Sequence, residues 1–466
     1  MHPKYATISD TLFYTILYFI NTSHIKIPFK IQDYTYGEGE NLILKYIYKD
    51  IFTKFLVGSP PQEVHLSLSF GEYSTFIISK NTDDFEGATF DFNLSKTYSA
   101  ISSEPISFYF QSYTTAIKSK DNFIIKGTDI QINDLTFNLA TELKQNNFYF
   151  THSEILIQPG ILGMLIAQVK NFEEEIYDVN FIEQLKSKNL ISSYDFYFDF
   201  NDKNSGNIMI GSKPEEFDDI KYMRNNYVTM KTSSSNGDLD WSIKFDQVFY
   251  GEKKLEHIKP MLLRIEFGLI TGYYEWEYAL INEFFSKLIS ENKCFKKNSN
   301  DLGSYIHYFY CNKNTDLSGF KPFIFTINEF NYNFTLTKDD LFLDIGDKYL
   351  FLMAFGGISD LILGLPFLKK YQLIFNQNTK TIGFCLDKKG DNSGFLSILR
   401  NYIIIISILS CILMSLIVIA VLFFWKKKKN KQNATELLDD QFNENKINKE
   451  NKIIEENENE NESYIN

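Results

Sequence analysis

Two stretches of this 466-residue chain place a chemically capable side chain at the end of an extended apolar run. In the first, Val64-His65-Leu66-Ser67-Leu68-Ser69 alternates as a half-buried strand does and breaks at Phe70-Gly71. In the second, Leu262-Leu263-Arg264-Ile265-Glu266 breaks at Phe267-Gly268. The residue ahead of each Phe-Gly is therefore an alcohol in one case, Ser69, and a carboxylic acid in the other, Glu266. Nucleophilic use of an alcohol needs a base beside it. His65 has no Ser/Asp arrangement in view and reads as a satisfied or solvated side chain. Amide hydrolysis by carboxyl groups needs two of them, close enough that they share one proton. No HExxH, Cys-x-x-Cys pair or glycine-rich phosphate loop occurs, so metal and nucleotide chemistry have no candidate and no cofactor is expected.

The elements that must position these residues are short β-branched and aromatic runs punctuated by Gly, Asn, Asp and Ser, the spacing of an all-β architecture. Residues 24–50 read as a first strand entering the fold. Gly58-Ser59-Pro60-Pro61 is a turn ahead of the Ser69 strand, and Gly160-Ile161-Leu162-Gly163 follows downstream. Asn180 to Leu190 is the one clear helix of the first half, with Asn180 as N-cap and Glu183 placed to complete a capping box. From about Tyr227 the plan repeats, and Ile362-Leu363-Gly364 lies downstream of Gly268 as Ile161-Leu162-Gly163 lies downstream of Gly71. The chain thus carries a weak internal duplication: strand, loop with Phe-Gly, then a distant apolar-apolar-Gly.

The Gly-Ser-Pro-Pro-Gln block, the two apolar-apolar-Gly strands and the closing Leu363-Gly364-Leu365-Pro366-Phe367-Leu368-Lys369-Lys370-Tyr371 together resemble the pepsin-like aspartic peptidases over about residues 45–388. The resemblance implies a bilobal, all-β fold with an N-terminal lobe at 45–226 and a C-terminal lobe at 227–388. It also implies a long groove for extended peptide and an apolar-apolar-Gly strand crossing behind each active-site loop. The family's catalytic pair is one Asp in each of two Asp-Thr-Gly loops. Here the matching positions are Ser69 and Glu266, and the loop residues after them are Phe70, Gly71, Phe267 and Gly268. A serine cannot split pKa values with a partner, and the extra methylene of Glu266 displaces its carboxylate by about a bond length, an error that can cost ~100-fold in rate. Both threonine hydroxyls are replaced by rings, which points to a re-packed lobe interface. Among other acids, Glu72 is expected to project from the wrong side of its loop, and Asp344 lies too close to Ile362-Leu363-Gly364 to head a second active-site loop.

The resemblance further places Tyr109 on a hairpin over the cleft and pairs Cys294 with Cys311. In an oxidising compartment such a bridge would stabilise by roughly 3 kcal/mol in the chain-entropy model. Cys385 is left over, and Cys411 falls in an apolar stretch. Asn93-Leu94-Ser95 and Asn333-Phe334-Thr335 are glycosylation sequons.

The chain ends point to a membrane. Residues 1–23 contain a short apolar run, Leu12 to Ile20, too short to span a bilayer and suited to a signal peptide. Tyr402 to Trp425 is uncharged and apolar and is followed by Lys426-Lys427-Lys428-Lys429, the pattern of a single-pass transmembrane helix over 401–425 with its basic flank in the cytoplasm. This predicts a type I protein of the secretory or endolysosomal system or cell surface, with the ectodomain luminal or extracellular and residues 426–466 a disordered tail. The net charge of -12 argues against nucleic acid as a partner. Three functions are open on these grounds. The first is a membrane-anchored aspartic peptidase homologue with lost or impaired proteolysis that holds a peptide or protein in its cleft. The others are an endopeptidase using Glu266 with Ser69, and a surface protein whose lobes display loops.

Overall fold

The computed structural model describes residues 24–33, 44–82, 89–102, 106–110, 112–144, 160–166, 179–211, 227–233, 240–256, 259–299, 305–356, 360–385 and 449. Within Met1–Asp387, one compact unit, the described residues are dominated by strands, which form three sheets of fourteen, eight and four among those residues. Among the described residues no helix is long and apolar enough to cross a membrane. The leader at 1–23, the apolar segment 402–425 with Cys411 and the tail, apart from residue 449, lie outside them.

The duplication expected from the sequence is present in the strand pairing. In the first half, strand Gln62–Ser69 runs parallel to Gly160–Gly163, which pairs antiparallel with Phe76–Ile78, which in turn runs parallel to Gln131–Lys144. In the second half, Met261–Leu263 runs parallel to Leu361–Leu363, that strand pairs antiparallel with Ile270–Gly272, and Ile270–Gly272 runs parallel to Lys348–Gly356. Each apolar-apolar-Gly strand is thus threaded between the two strands that flank a loop. Its apolar residues are buried on both faces, as a parallel central strand requires: Ile161 and Leu162 in one half, Leu361 and Leu363 in the other. The glycine that ends each motif has a steric reason. A Cβ on Gly163 would lie 2.5 Å from the backbone of Tyr73, and one on Gly364 would lie 2.3 Å from the Phe267 carbonyl oxygen. Only glycine lets the supporting strand approach the loop this closely.

The first described strand, Ile25–Asp33, sits inside the fourteen-stranded sheet between Ser205–Ile210 and Lys49–Val57. Its alternation is complete: Ile25, Ile27, Phe29 and Ile31 are buried while Lys26, Pro28 and Lys30 are exposed. Helix Phe181–Ser187 starts where the sequence places it, with the Asn180 side chain accepting from the Glu183 N–H. The reciprocal half of the expected capping box is absent, because the Glu183 carboxylate hydrogen-bonds Tyr194 instead. A longer helical run that the sequence reading passes over spans Tyr274–Leu280, a π-helical turn Ile281–Phe285 and Ser286–Ser290. Its Trp276, Leu280 and Phe285 are buried.

The Cys294–Cys311 disulfide is formed between directly opposed residues of the antiparallel strands Cys294–Ser299 and Ile306–Asn312. Cys385 ends strand Thr381–Cys385, opposite Tyr227. Asn93 and Asn333 are both exposed, the latter on strand Tyr332–Leu336.

Candidate functional site

Ser69 is the last residue of its strand, where its carbonyl accepts from the Met164 N–H at 2.9 Å. Its hydroxyl oxygen accepts from the Gly71 N–H at 3.1 Å, so the side chain folds back on its own loop. Glu266 stands across from it. A Cβ placed on Gly71 would be 3.6 Å from Ser69 Oγ and 3.6 Å from Glu266 Oε1, which puts the loop glycine in contact range of both groups. The structure therefore brings the two residues singled out by the sequence to one place.

What joins the loops is the backbone of Phe70. Its N–H donates to Glu266 Oε2 at 3.3 Å, and its carbonyl accepts from Arg264 Nη1 at 3.1 Å. Arg264 also donates through Nη2 to Asp240 Oδ1 at 2.9 Å, a pair whose side chains are only 14% and 19% exposed and so are largely removed from solvent screening. Arg264, just past the end of strand Met261–Leu263, and loop residue Glu266 thus hold the backbone of one residue of the opposite loop, on the two peptide groups that flank Phe70. The sequence carries one sign of this role: Arg264 is a single cation inside the apolar run Leu262-Leu263-Arg264-Ile265.

The two phenylalanines have different fates. Phe70 is fully buried against Phe375, Phe198 and Phe196, with ring centroids at 4.9, 5.6 and 6.3 Å. Phe267 is half-buried and lies on Tyr48 at 4.9 Å. The matched substitutions therefore do not face each other as equivalent halves of one interface. Phe70 enters the main core, whereas Phe267 packs with Tyr46, Tyr48, Ile47 and Leu269 in a separate small cluster. The second loop is further tied down by main-chain bonds from Lys49 N–H to the Glu266 carbonyl, 2.9 Å, and from Gly268 N–H to the Ile47 carbonyl, 2.7 Å.

Supports reach the site from other directions. Asn180, besides capping its helix, donates from Nδ2 to the Tyr73 carbonyl at 3.0 Å. Trp241 Nε1 donates to the Met164 carbonyl at 2.8 Å and Gln377 Nε2 to the Leu165 carbonyl at 3.1 Å, linking second-half residues to the end of the first supporting strand. Tyr109 lies on strand Ile106–Phe110, which forms a hairpin with Ser112–Ile125 in which Tyr109 is opposite Tyr113.

Glu72 departs from expectation. Its backbone is fixed by the Leu165 N–H, which donates to the Glu72 carbonyl at 2.8 Å, and its half-buried side chain lies within electrostatic reach of both Glu266 and Arg264. The loop after Gly71 has no strand alternation to assign a side-chain direction from the sequence. Burial first, and repulsion from the Glu266 carboxylate second, raise the Glu72 carboxyl to about 8, with Arg264 opposing. Glu266 is raised as well, chiefly by burial and slightly by Asp240, against the favourable influence of Arg264 and of the N–H groups it accepts from. Asp344, by contrast, pairs with Lys313 in the open, as its exclusion from the site required.

The family model for eukaryotic aspartyl protease matches residues 50–386 of the chain. No curated protein matches it.

Proposed function

Since the chain belongs to the eukaryotic aspartyl protease family, we propose that it is a peptide-binding member of that family in which hydrolysis is lost or strongly impaired. The observation that carries this reading is the Phe70 backbone, whose N–H is held by Glu266 and whose carbonyl is held by Arg264. One oxygen of the single acid at the two motif positions is engaged as a strap between loops, and its counterpart there is the Ser69 alcohol, which accepts a hydrogen bond from Gly71. An alcohol supplies neither a charge nor a second proton of suitable acidity for the shared-proton mechanism. Peptide binding needs none of this chemistry, because an extended chain is held by main-chain hydrogen bonds and alternate side-chain pockets. In this reading the Ile106–Phe110/Ser112–Ile125 hairpin, with Tyr109, covers the groove, and the apolar segment 402–425 anchors the protein with its β body on the luminal or extracellular side.

The test is incubation of the full-length protein with a denatured protein at acidic pH, beside a Glu266→Gln variant. The expected result is no cleavage above the variant. Cleavage that the substitution abolishes would establish hydrolysis instead. That second reading has one feature in its favour, a second carboxyl, Glu72, whose upward shift owes part of its size to repulsion from Glu266.

A further inference from the structure

Strand Tyr332–Leu336, which carries the second glycosylation sequon, is an outermost strand of the four-stranded sheet, and among the described residues it pairs with Phe323–Ile327 alone. Tyr332, Phe334 and Leu336 are buried, the first two against Phe384 at 5.3 and 4.9 Å. Strand alternation therefore turns Asn333 and Thr335 to the opposite, outer face. Asn333 is exposed there, its Oδ1 accepts from Thr326 Oγ1 at 2.9 Å, and among the described residues no acceptor meets its Nδ2. Thr335 donates its N–H to the Tyr371 hydroxyl, which in turn donates to the Thr335 carbonyl, so the main chain of Thr335 points away from Phe323–Ile327. In an antiparallel pair that direction recurs at every second residue. Asn333 thus aims its own N–H and C=O at the open edge, where no hydrogen bond from the described residues meets them. On the same outer face Ile324, opposite Thr335, and Phe249, opposite Ile324, are only half-buried. An open edge beside apolar side chains is a template for pairing with another chain.

We propose that Asn333 carries an N-linked glycan that covers this edge and the outer face beside it, and so keeps the sheet from joining that of a second copy. The assignment rests on the reading that sets the β body on the luminal or extracellular side. In the transfer, Asn333 Nδ2 forms a bond to the anomeric carbon of an oligosaccharide held on a lipid pyrophosphate. The bond from that carbon to the pyrophosphate breaks, the pyrophosphate leaves with the electron pair, and Nδ2 gives up one proton. The folded strand accommodates the product, because Oδ1 and not Nδ2 holds the bond to Thr326 and the packed residues lie on the other face. Diagonal neighbours on a sheet face lie within about 8 Å, which brings Ile324 under the first sugar. Without the glycan, two copies related by a two-fold axis meet edge to edge at Asn333, with N–H to C=O bonds in both directions. Asn93, the other sequon residue, belongs to the turn Phe92–Leu94 and not to a strand, so it serves as the control.

The full-length protein is expressed through the secretory pathway of a eukaryotic cell, and a sample is treated with an N-glycan amidase in heavy-oxygen water, which turns each glycosylated Asn into an Asp bearing the heavy isotope. Peptide masses then report on Asn333 and Asn93 separately. Self-association in detergent is measured by sedimentation for the wild type, Asn333→Gln, Asn333→Lys and Asn93→Gln. Lysine also removes the glycan but guards an edge by its charge. The expected result is label at Asn333, with N333Q dimerising about tenfold more tightly than the wild type, a change of about 1.4 kcal/mol, while N333K and N93Q stay at the wild-type level. Label at Asn93 without label at Asn333 overturns the assignment and leaves the luminal reading standing. Label at neither overturns the luminal reading and the assignment with it. Label at Asn333 with N333Q no more associated than the wild type, or with N333K as associated as N333Q, overturns the covering role.

Discussion

Replacing Glu72 by glutamine should stabilise the protein at alkaline pH and leave it nearly unchanged at acid pH. The folded chain holds the Glu72 proton to about 8, against 4.5 for the ordinary group. Below pH 4.5 the carboxyl is neutral in both the folded and unfolded chain, and the wild type then resembles the glutamine variant. Between pH 4.5 and 8 the unfolded chain has released a proton that the folded chain keeps, so stability falls as pH rises. Above 8 the full penalty is present. At roughly 1.36 kcal/mol per pH unit this span corresponds to about 5 kcal/mol, and solvent at a half-buried carboxyl brings the expectation to ~2–3 kcal/mol. The measurement is the denaturant midpoint of both chains at a series of pH values from 4.5 to 9.5. Groups such as Glu63, whose carboxyl is lowered to about 2 by Lys126, Lys54 and His65, tilt both curves alike and cancel in the difference. A gap between variant and wild type that is the same at pH 5 and pH 9 would refute the burial that raises the Glu72 carboxyl.

Three further outcomes follow from the same geometry. Arg264→Met leaves Asp240 without its partner and the Phe70 carbonyl without its donor, and should cost ~2–4 kcal/mol in chemical denaturation, part of it recovered by adding Asp240→Asn. Phe70→Thr, which restores the residue typical of the family, should destabilise by ~3–5 kcal/mol because it empties the space against Phe375, Phe198 and Phe196, while Phe267→Thr, on a half-buried ring, should cost less than half of that. Cys294→Ser with Cys311→Ser should lower stability by ~3 kcal/mol, and reduction of the wild type should lower its midpoint to that of the variant.

The fold was legible in the sequence wherever a motif had to satisfy sterics that tolerate few alternatives. The apolar-apolar-Gly strands show this: the apolar pair must be buried on both faces, and Gly163 and Gly364 must let a loop pass within contact distance. The cap at Asn180 was equally readable, since it is a local bond, although the use of Glu183 by Tyr194 was not. The site was legible in its two motif residues and not in what surrounds them. Side-chain direction in the loop after Gly71 follows no period, so the sequence does not fix where Glu72 points. The contacts of Arg264 join residues 24 and 194 positions apart in the chain, a pairing no local pattern encodes. Identical replacements at Phe70 and Phe267 also suggested a symmetry that packing does not keep, because only Phe70 meets the aromatic rings of Phe196, Phe198 and Phe375.

The place of strand Ile25–Asp33 has a consequence for biosynthesis. Lys30 pairs with Ser205, about 175 residues further along, and the strand has neighbours on both sides in the finished sheet. On a ribosome moving at roughly 5–20 residues per second, one of those neighbours emerges some ten to thirty-five seconds after the strand itself. Until then Ile25, Ile27, Phe29 and Ile31, buried in the finished sheet, have no Ser205–Ile210 edge to pair with, and such an unpaired apolar segment is a template for pairing with other chains.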